Sequence, residues 1–277
     1  MTVRTLPQLP EGDLSTPAST LHSRRRLMKL AAIGGISMAA MKFFTPSGAL
    51  AASPALTGGP TDGDTQFAGI PGSSINEKVL NFALTLEILE ADLYRQALNL
   101  ASNLPIGNDL NPNPKAYTLK NGGGGLPEAA TQVGYLYLKQ FAYVEAAHRD
   151  FLNAAIKAAG FTPVTRNPGG YAFVSFPKAN IKSLLNAILP LEETGTRAYL
   201  GALPYLTDLG LATVAGGIYS TECRHSAVIN NTLGLNAGPE RLSGDLEVVA
   251  NPPAGNTFEP YLQPATVLKA ASVYFVK

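Results

Sequence analysis

F-A-Y-V-E-A-A-H (141–148) and Y-S-T-E-C-R-H (219–225) each place a glutamate three residues before a histidine. The chain has only three histidines, and the third, His22, lies far upstream. Positions i and i+3 share one face of a helix, so Glu145 with His148, and Glu222 with His225, can each reach one ion. The surroundings read as helices. Pro127 suits a first helical turn and Gly160 a stop, which predicts a helix from Pro127 or Glu128 to Ala159. Apolar periodicity predicts another over Leu209–Leu233, ended by Gly234.

Two further helices carry a matching feature. Val79, Leu80, Phe82, Ala83, Leu86, Leu89, Leu93 and Leu98 mark an apolar face from Ile75 to Ala101, with Asn76 as a candidate cap. The third helix of the series spans Ala179–Leu206, with Pro190 and Gly195 expected to kink or loosen it. Glu87 precedes Tyr94 by seven residues in the first, and Glu192 precedes Tyr199 by seven in the third. Seven residues is nearly two turns, so each tyrosine is expected under its glutamate. Both tyrosines are candidate catalytic groups, with ordinary core tyrosine as the competing reading.

The connections set the architecture. Residues 102–127 contain proline, asparagine and four consecutive glycines, Gly122–Gly125, and read as a loop. Residues 161–178 read as a connection with a short hairpin, and are long enough to cross a bundle from end to end. The expectation is all-α: a four-helix bundle over 75–235 with a long crossover between helices 2 and 3. A flexible lead-in (52–74) would precede it. A Pro/Gly-rich C-terminal extension (236–277), with a short helix within Ala265–Val276, would pack on it.

Four carboxylates buried together would repel and be costly to desolvate, and two divalent ions offset that charge. Ligation by carboxylate and imidazole without thiolate favours Fe or Mn, with Zn less favoured. Cys223 is the single cysteine, so no internal disulfide, Cys-rich zinc site or iron–sulfur cluster can form. Glu90, one turn from Glu87, is read as a carboxylate holding a histidine N–H. Glu193 and Asp150 are read as pointing away from the site, Glu193 into solvent, and Cys223 as a small buried side chain.

The N-terminal region has its own logic. S-R-R-R-L-M-K (23–29), an apolar stretch Leu30–Met41 and P-S-G-A-L-A-A (46–52) follow the order of a signal peptide, with Ala49-Leu50-Ala51 as the cleavage site. The apolar stretch is shorter than the roughly 20 residues a spanning helix needs, so no stable transmembrane segment is expected after cleavage. Residues 1–51 hold six Lys/Arg against two acidic residues, leaving the remainder slightly acidic, and no nucleic-acid partner is expected. Ser23, Arg24, Arg25 and Lys29 resemble the twin-arginine signal, which implies export of an already folded protein to the periplasm, cell surface or medium.

The constellation also resembles the ferritin-like superfamily, and within it the exported ferritin-like group that includes desiccation-related proteins. N-F-A-L-T-L-E-I-L-E-A-D-L-Y (81–94), the two E-x-x-H stretches, L-E-E-T-G-T-R-A-Y-L-G-A (191–202) and the tail 258–275 carry that resemblance. It implies Glu87, Glu145, His148, Glu192, Glu222 and His225 as ligands of two divalent ions, with Tyr94 beside them. It implies redox chemistry on peroxide, dioxygen or Fe(II) in oxidative or desiccation stress, within a chain that can form a homo-oligomer. The competing class is a non-enzymatic stress or desiccation protein with a structural or vestigial metal site.

Overall fold

Three of the four long helices begin where a short polar side chain takes over an unpaired backbone N–H. In the computed structural model, which describes residues 59–238 and 259–277, the α-helices are α1 (Gly63–Gln66), α2 (Ile75–Ala101), α3 (Glu128–Ala158), α4 (Ile181–Ala202), α5 (Leu209–Leu233) and α6 (Pro264–Ala271). Ser74 caps α2, Asn180 α4 and Asp208 α5, each accepting from the backbone three residues on. Glu77 reaches back to accept from the Ser73 N–H at 2.7 Å, which secures the residue before the cap. Asn76, the expected cap, instead clamps Thr207 before α5 through two hydrogen bonds. Gly234 closes α5 in the left-handed region, φ 77°.

α2 packs most closely on α3, and α4 on α5; α2 also meets α4, and α3 meets α5. The 102–127 loop returns to the end of α2, where Lys120 N–H donates to Ala101 C=O and Asn121 to Leu100 C=O. α3 therefore starts beside the end of α2 and runs antiparallel to it. The link from α3 to α4 then traces α2 lengthwise. Asn81 holds Thr162 and Val164, Asp92 pairs with Arg166, and Gln96 donates to the Tyr171 carbonyl. The link ends where Ile181 and Lys182 N–H donate to Gly122 and Gly123. This is the expected crossover, and it explains why α2 is buried on nearly every face. Its buried Asn81, Asp92 and Gln96 find partners in the crossover backbone and side chains, as buried polar groups must.

Three expectations are revised. The crossover forms no hairpin among the described residues; Tyr171 makes an isolated antiparallel bridge to Phe275, so its pairing partner is the C-terminal segment. α4 starts at Ile181 rather than Ala179 and stops at Ala202, followed by a 3₁₀ turn at Leu203–Tyr205. It runs unbroken through Pro190 and Gly195. The described part of the lead-in is tied down: Phe67 is 1% exposed and meets Phe82 and Tyr205 edge-on.

The C-terminal segment packs on the bundle through Val267 and Ala271, both buried. It approaches α4 at Gly201, where a Cβ would lie 1.9 Å from the Leu262 carbonyl oxygen, so only glycine fits. Among the described residues no helix is long and apolar enough to cross a membrane. The signal-peptide reading of 1–51, and residues 52–58 and 239–258, lie outside the described residues.

Candidate metal centre

Periodicity on four helices turns six side chains to the bundle axis. Glu87 comes from α2, Glu145 and His148 from α3, Glu192 from α4, and Glu222 and His225 from α5. All four glutamates are 0% exposed; His225 is nearly so, and the His148 side chain keeps 15% of its surface. His148 Nδ1 lies 3.0 Å from Glu145, 3.4 Å from Glu87 and 3.5 Å from Glu222. His225 Nδ1 lies 2.8 Å from Glu145 Oε1 and 3.4 Å from Glu192 Oε2. The ligand atoms form two groups, Glu87–Glu145–His148–Glu222 and Glu145–Glu192–Glu222–His225, each within 4.8 Å. Bonds of about 2.0–2.2 Å to one ion separate opposite ligands by about 4.4 Å, so each group has the size of a coordination shell. Glu145 and Glu222 belong to both.

The fit to cations rests on what these atoms lack. Glu87 Oε2, Glu145 Oε1, Glu192 Oε2, both oxygens of Glu222 and His225 Nδ1 are buried without a hydrogen-bond partner. The 2.8 Å approach of His225 to Glu145 does not have the alignment of a hydrogen bond. Such orphans are costly, and several converging on one volume identify the missing partner as positive charge. Thiolates are absent and oxygen predominates, a donor set that suits Fe or Mn.

The second oxygen of each outer glutamate is held across the bundle. Tyr199 O–H donates to Glu87 Oε1 at 2.6 Å, and Tyr94 O–H to Glu192 Oε1 in a short bond. Each tyrosine therefore serves the glutamate of the facing helix, not the one on its own helix as its spacing suggested. Position 87 meets 199 and 94 meets 192, so α2 and α4 are antiparallel. Likewise 145 meets 225 and 148 meets 222 between α3 and α5. The centre has an approximate two-fold axis relating Glu87, Tyr94, Glu145 and His148 to Glu192, Tyr199, Glu222 and His225.

Three departures from that symmetry stand out. Phe141, four residues before Glu145, stacks on His225 at 3.8 Å, whereas Ile218 holds the matching place before Glu222. His148 alone of the six is appreciably exposed. Glu90, three residues after Glu87, is matched by Gly195 after Glu192. A Cβ on Gly195 would lie 3.0 Å from Glu222 and 3.1 Å from Glu90, so the glycine makes room for a fifth buried carboxylate. Sequence reasoning assigned Glu90 to a histidine; the structure sets it beside Glu222. Its signal was the one-turn spacing from Glu87. Glu193 is not solvated: it accepts from Ser226, Asn230 and Arg197 and ties α4 to α5. Asp150 is exposed, as expected, and Cys223 is half-buried.

Electrostatics without a cation follow from crowding. Burial pushes Glu87 up to about 7, against the pull of His148 and Tyr199. Burial and neighbouring carboxylates hold Glu90 and Glu222 well above the usual range. Glu145 behaves oppositely: burial raises it, but His148 and His225 outweigh this and bring it to about 2. Burial resists ionisation of the histidines, yet the facing carboxylates raise both, His225 to about 10. Protons stand in for missing positive charge, as linkage between metal and proton requires.

A comparison with curated proteins finds no match. A family model described as ferritin-like domain matches residues 76–235, which take in the four long helices from the second residue of α2 onward and every residue of the cluster. The chain belongs to the ferritin-like domain family.

Proposed function

We propose that this is an exported ferritin-like protein holding a dinuclear Fe or Mn centre, acting on peroxide, dioxygen or Fe(II) in defence against oxidative or desiccation stress. The observation that carries the reading is the set of buried carboxylate oxygens without a hydrogen bond around two overlapping ligand groups. Glu145 and Glu222 would bridge, Glu87 and His148 would complete one position, and Glu192 and His225 the other. Such a pair of ions, when bound, supplies a two-electron redox couple and a Lewis acid. The protein orients the ligands: Tyr94 and Tyr199 each tie down one carboxylate oxygen and leave the other directed inward. Phe141 fixes the His225 ring and keeps water from that side. The partly exposed His148 side is the approach for a small substrate. Export by the twin-arginine route accords with loading in the cytoplasm, where competition from Cu and Zn is avoided.

The test is metal analysis of protein exported by its own signal and never refolded, followed by two assays. The expected result is close to two Fe or Mn per chain, with either dioxygen release from hydrogen peroxide or oxidation of added Fe(II). Stoichiometric metal with neither activity would instead support a structural site in a non-enzymatic stress protein. Absence of bound metal would overturn both readings.

A further inference from the structure

Two segments far apart in sequence meet at the surface and differ in charge from the rest of the molecule. Residues 161–182 carry Arg166, Lys178 and Lys182, and residues 260–277 carry Lys269 and Lys277, with no aspartate or glutamate in either. The remainder of 52–277 holds 10 basic and 18 acidic residues, so positive charge is gathered in these two segments. The Tyr171–Phe275 bridge joins them, with Ala172 N–H donating to the Tyr274 carbonyl and Val276 N–H to that of Gly170. Asn167 secures the junction by donating to the Gly170 and Val276 carbonyls, and the Tyr171 and Phe275 rings meet edge-on at 5.2 Å.

This well-tied junction nevertheless exposes large apolar side chains. Val174 is 65% exposed, Phe176 63%, Val273 61% and Val276 41%. Antiparallel pairing of 171 with 275 brings Val273 beside the chain that carries Val174 and Phe176, while Val276 lies at the other end, against Gly170. Exposed lysines flank them: Lys178 two residues after Phe176, and Lys269 about one helical turn before Val273. Arg166 adds less, because Asp92 pairs with it at 3.2 Å. An apolar patch rimmed by charge of one sign suits a surface of opposite charge with an apolar interior. A bilayer of anionic lipid is such a surface: its phosphates attract lysine, and its acyl boundary accepts valine and phenylalanine. Lysine stems can lie along the apolar layer while their ammonium groups stay at the phosphates. A second copy of the chain fits less well, since a symmetric pair would bring two basic rims together. We infer that this junction is a docking face for anionic lipid, with Val174, Phe176 and Val273 entering the acyl boundary and Lys178 and Lys269 at the phosphates. The face lies apart from the ligand cluster and needs no bound metal.

The chain contains no tryptophan, so Phe176→Trp in the full chain reports on this one position. The variant is mixed with phosphatidylglycerol–phosphatidylcholine vesicles, with and without brominated acyl chains, and with phosphatidylcholine vesicles alone. The expected result is blue-shifted emission, quenched by bromine only where phosphatidylglycerol is present and lost at about 1 M salt. Leu136→Trp, on the exposed side of α3, controls for attachment through residues 1–51 and should stay unquenched. Lys178→Gln and Lys269→Gln, added to the Phe176→Trp chain, should each raise the lipid concentration for half-maximal quenching about fivefold. Equal quenching at 176 and 136, quenching indifferent to lipid charge, or none at 176 on vesicles that carry the protein overturns the inference. So does a blue shift without lipid that grows with protein concentration, which would mean that a second copy covers the face.

Discussion

At Glu222 the conflict between burial and charge is sharpest. Both its oxygens are buried without a hydrogen bond, and it belongs to both ligand groups. Its carboxyl is held well above the usual range, and Glu87 at about 7. A carboxyl whose folded pKa is raised contributes stability below its unfolded value, near 4.5, and loses it as pH rises through the folded value. The raised histidines act in the same direction at higher pH. Metal-free protein should thus melt at progressively lower temperature from about pH 5 to pH 8. Glu222→Gln keeps the shape and removes the need to take up a proton on folding that the raised carboxyl imposes at neutral pH. It should raise the metal-free melting temperature at neutral pH by about 2–4 °C for each kcal/mol recovered. The same variant should hold fewer than two ions, because Glu222 belongs to both ligand groups. Differential scanning calorimetry across pH, with metal analysis, checks both; a metal-free variant that melts lower than its parent contradicts the account.

At the scale of elements, the crossover between α3 and α4 does more than connect. It lies along α2 and supplies the carbonyls and N–H groups that Asn81 and Gln96 need once buried. Asn81 is 0% exposed and bonds Pro71, Thr162 and Val164, tying the chain before α2 to the chain after α3. Asn81→Ala leaves those backbone groups without partners, at about 1–3 kcal/mol for each one that water cannot reach. The expected outcome is a melting temperature lower by several degrees, with hydrogen exchange at 161–166 accelerated more than within α4 and α5. Uniform acceleration over all four long helices would mean that the crossover is not a separate clamp.

For the whole molecule, the metal reading makes stability a property of the loaded protein. Ligands that bind only the folded state stabilise it by about 4 kcal/mol at a thousandfold excess over Kd. For a bundle of this size that is on the order of 10 °C in Tm. Removing metal with a chelator at neutral pH should lower Tm by about that much, and returning Mn(II) or Fe(II) should restore it. No change on chelation, with metal shown to be gone, would mean that the bundle carries its buried carboxylates without help from cations.

Helix positions, the E-x-x-H pairs and the Glu87/Tyr94 and Glu192/Tyr199 repeat were legible from periodicity alone, because a helix face is determined by residue spacing. Spacing within one helix says nothing of which helix faces it, or in which direction. The tertiary structure therefore decided that Tyr199 serves Glu87 and Tyr94 serves Glu192, since antiparallel pairing sets a register no single helix contains. It decided that Glu193 joins α4 to α5 rather than meeting solvent. It likewise decided that Glu90 lies against Glu222 in the space Gly195 leaves, and that Tyr171 pairs with Phe275 instead of forming a hairpin. Each depends on contacts between segments distant in sequence, where packing rather than local periodicity determines what a side chain meets.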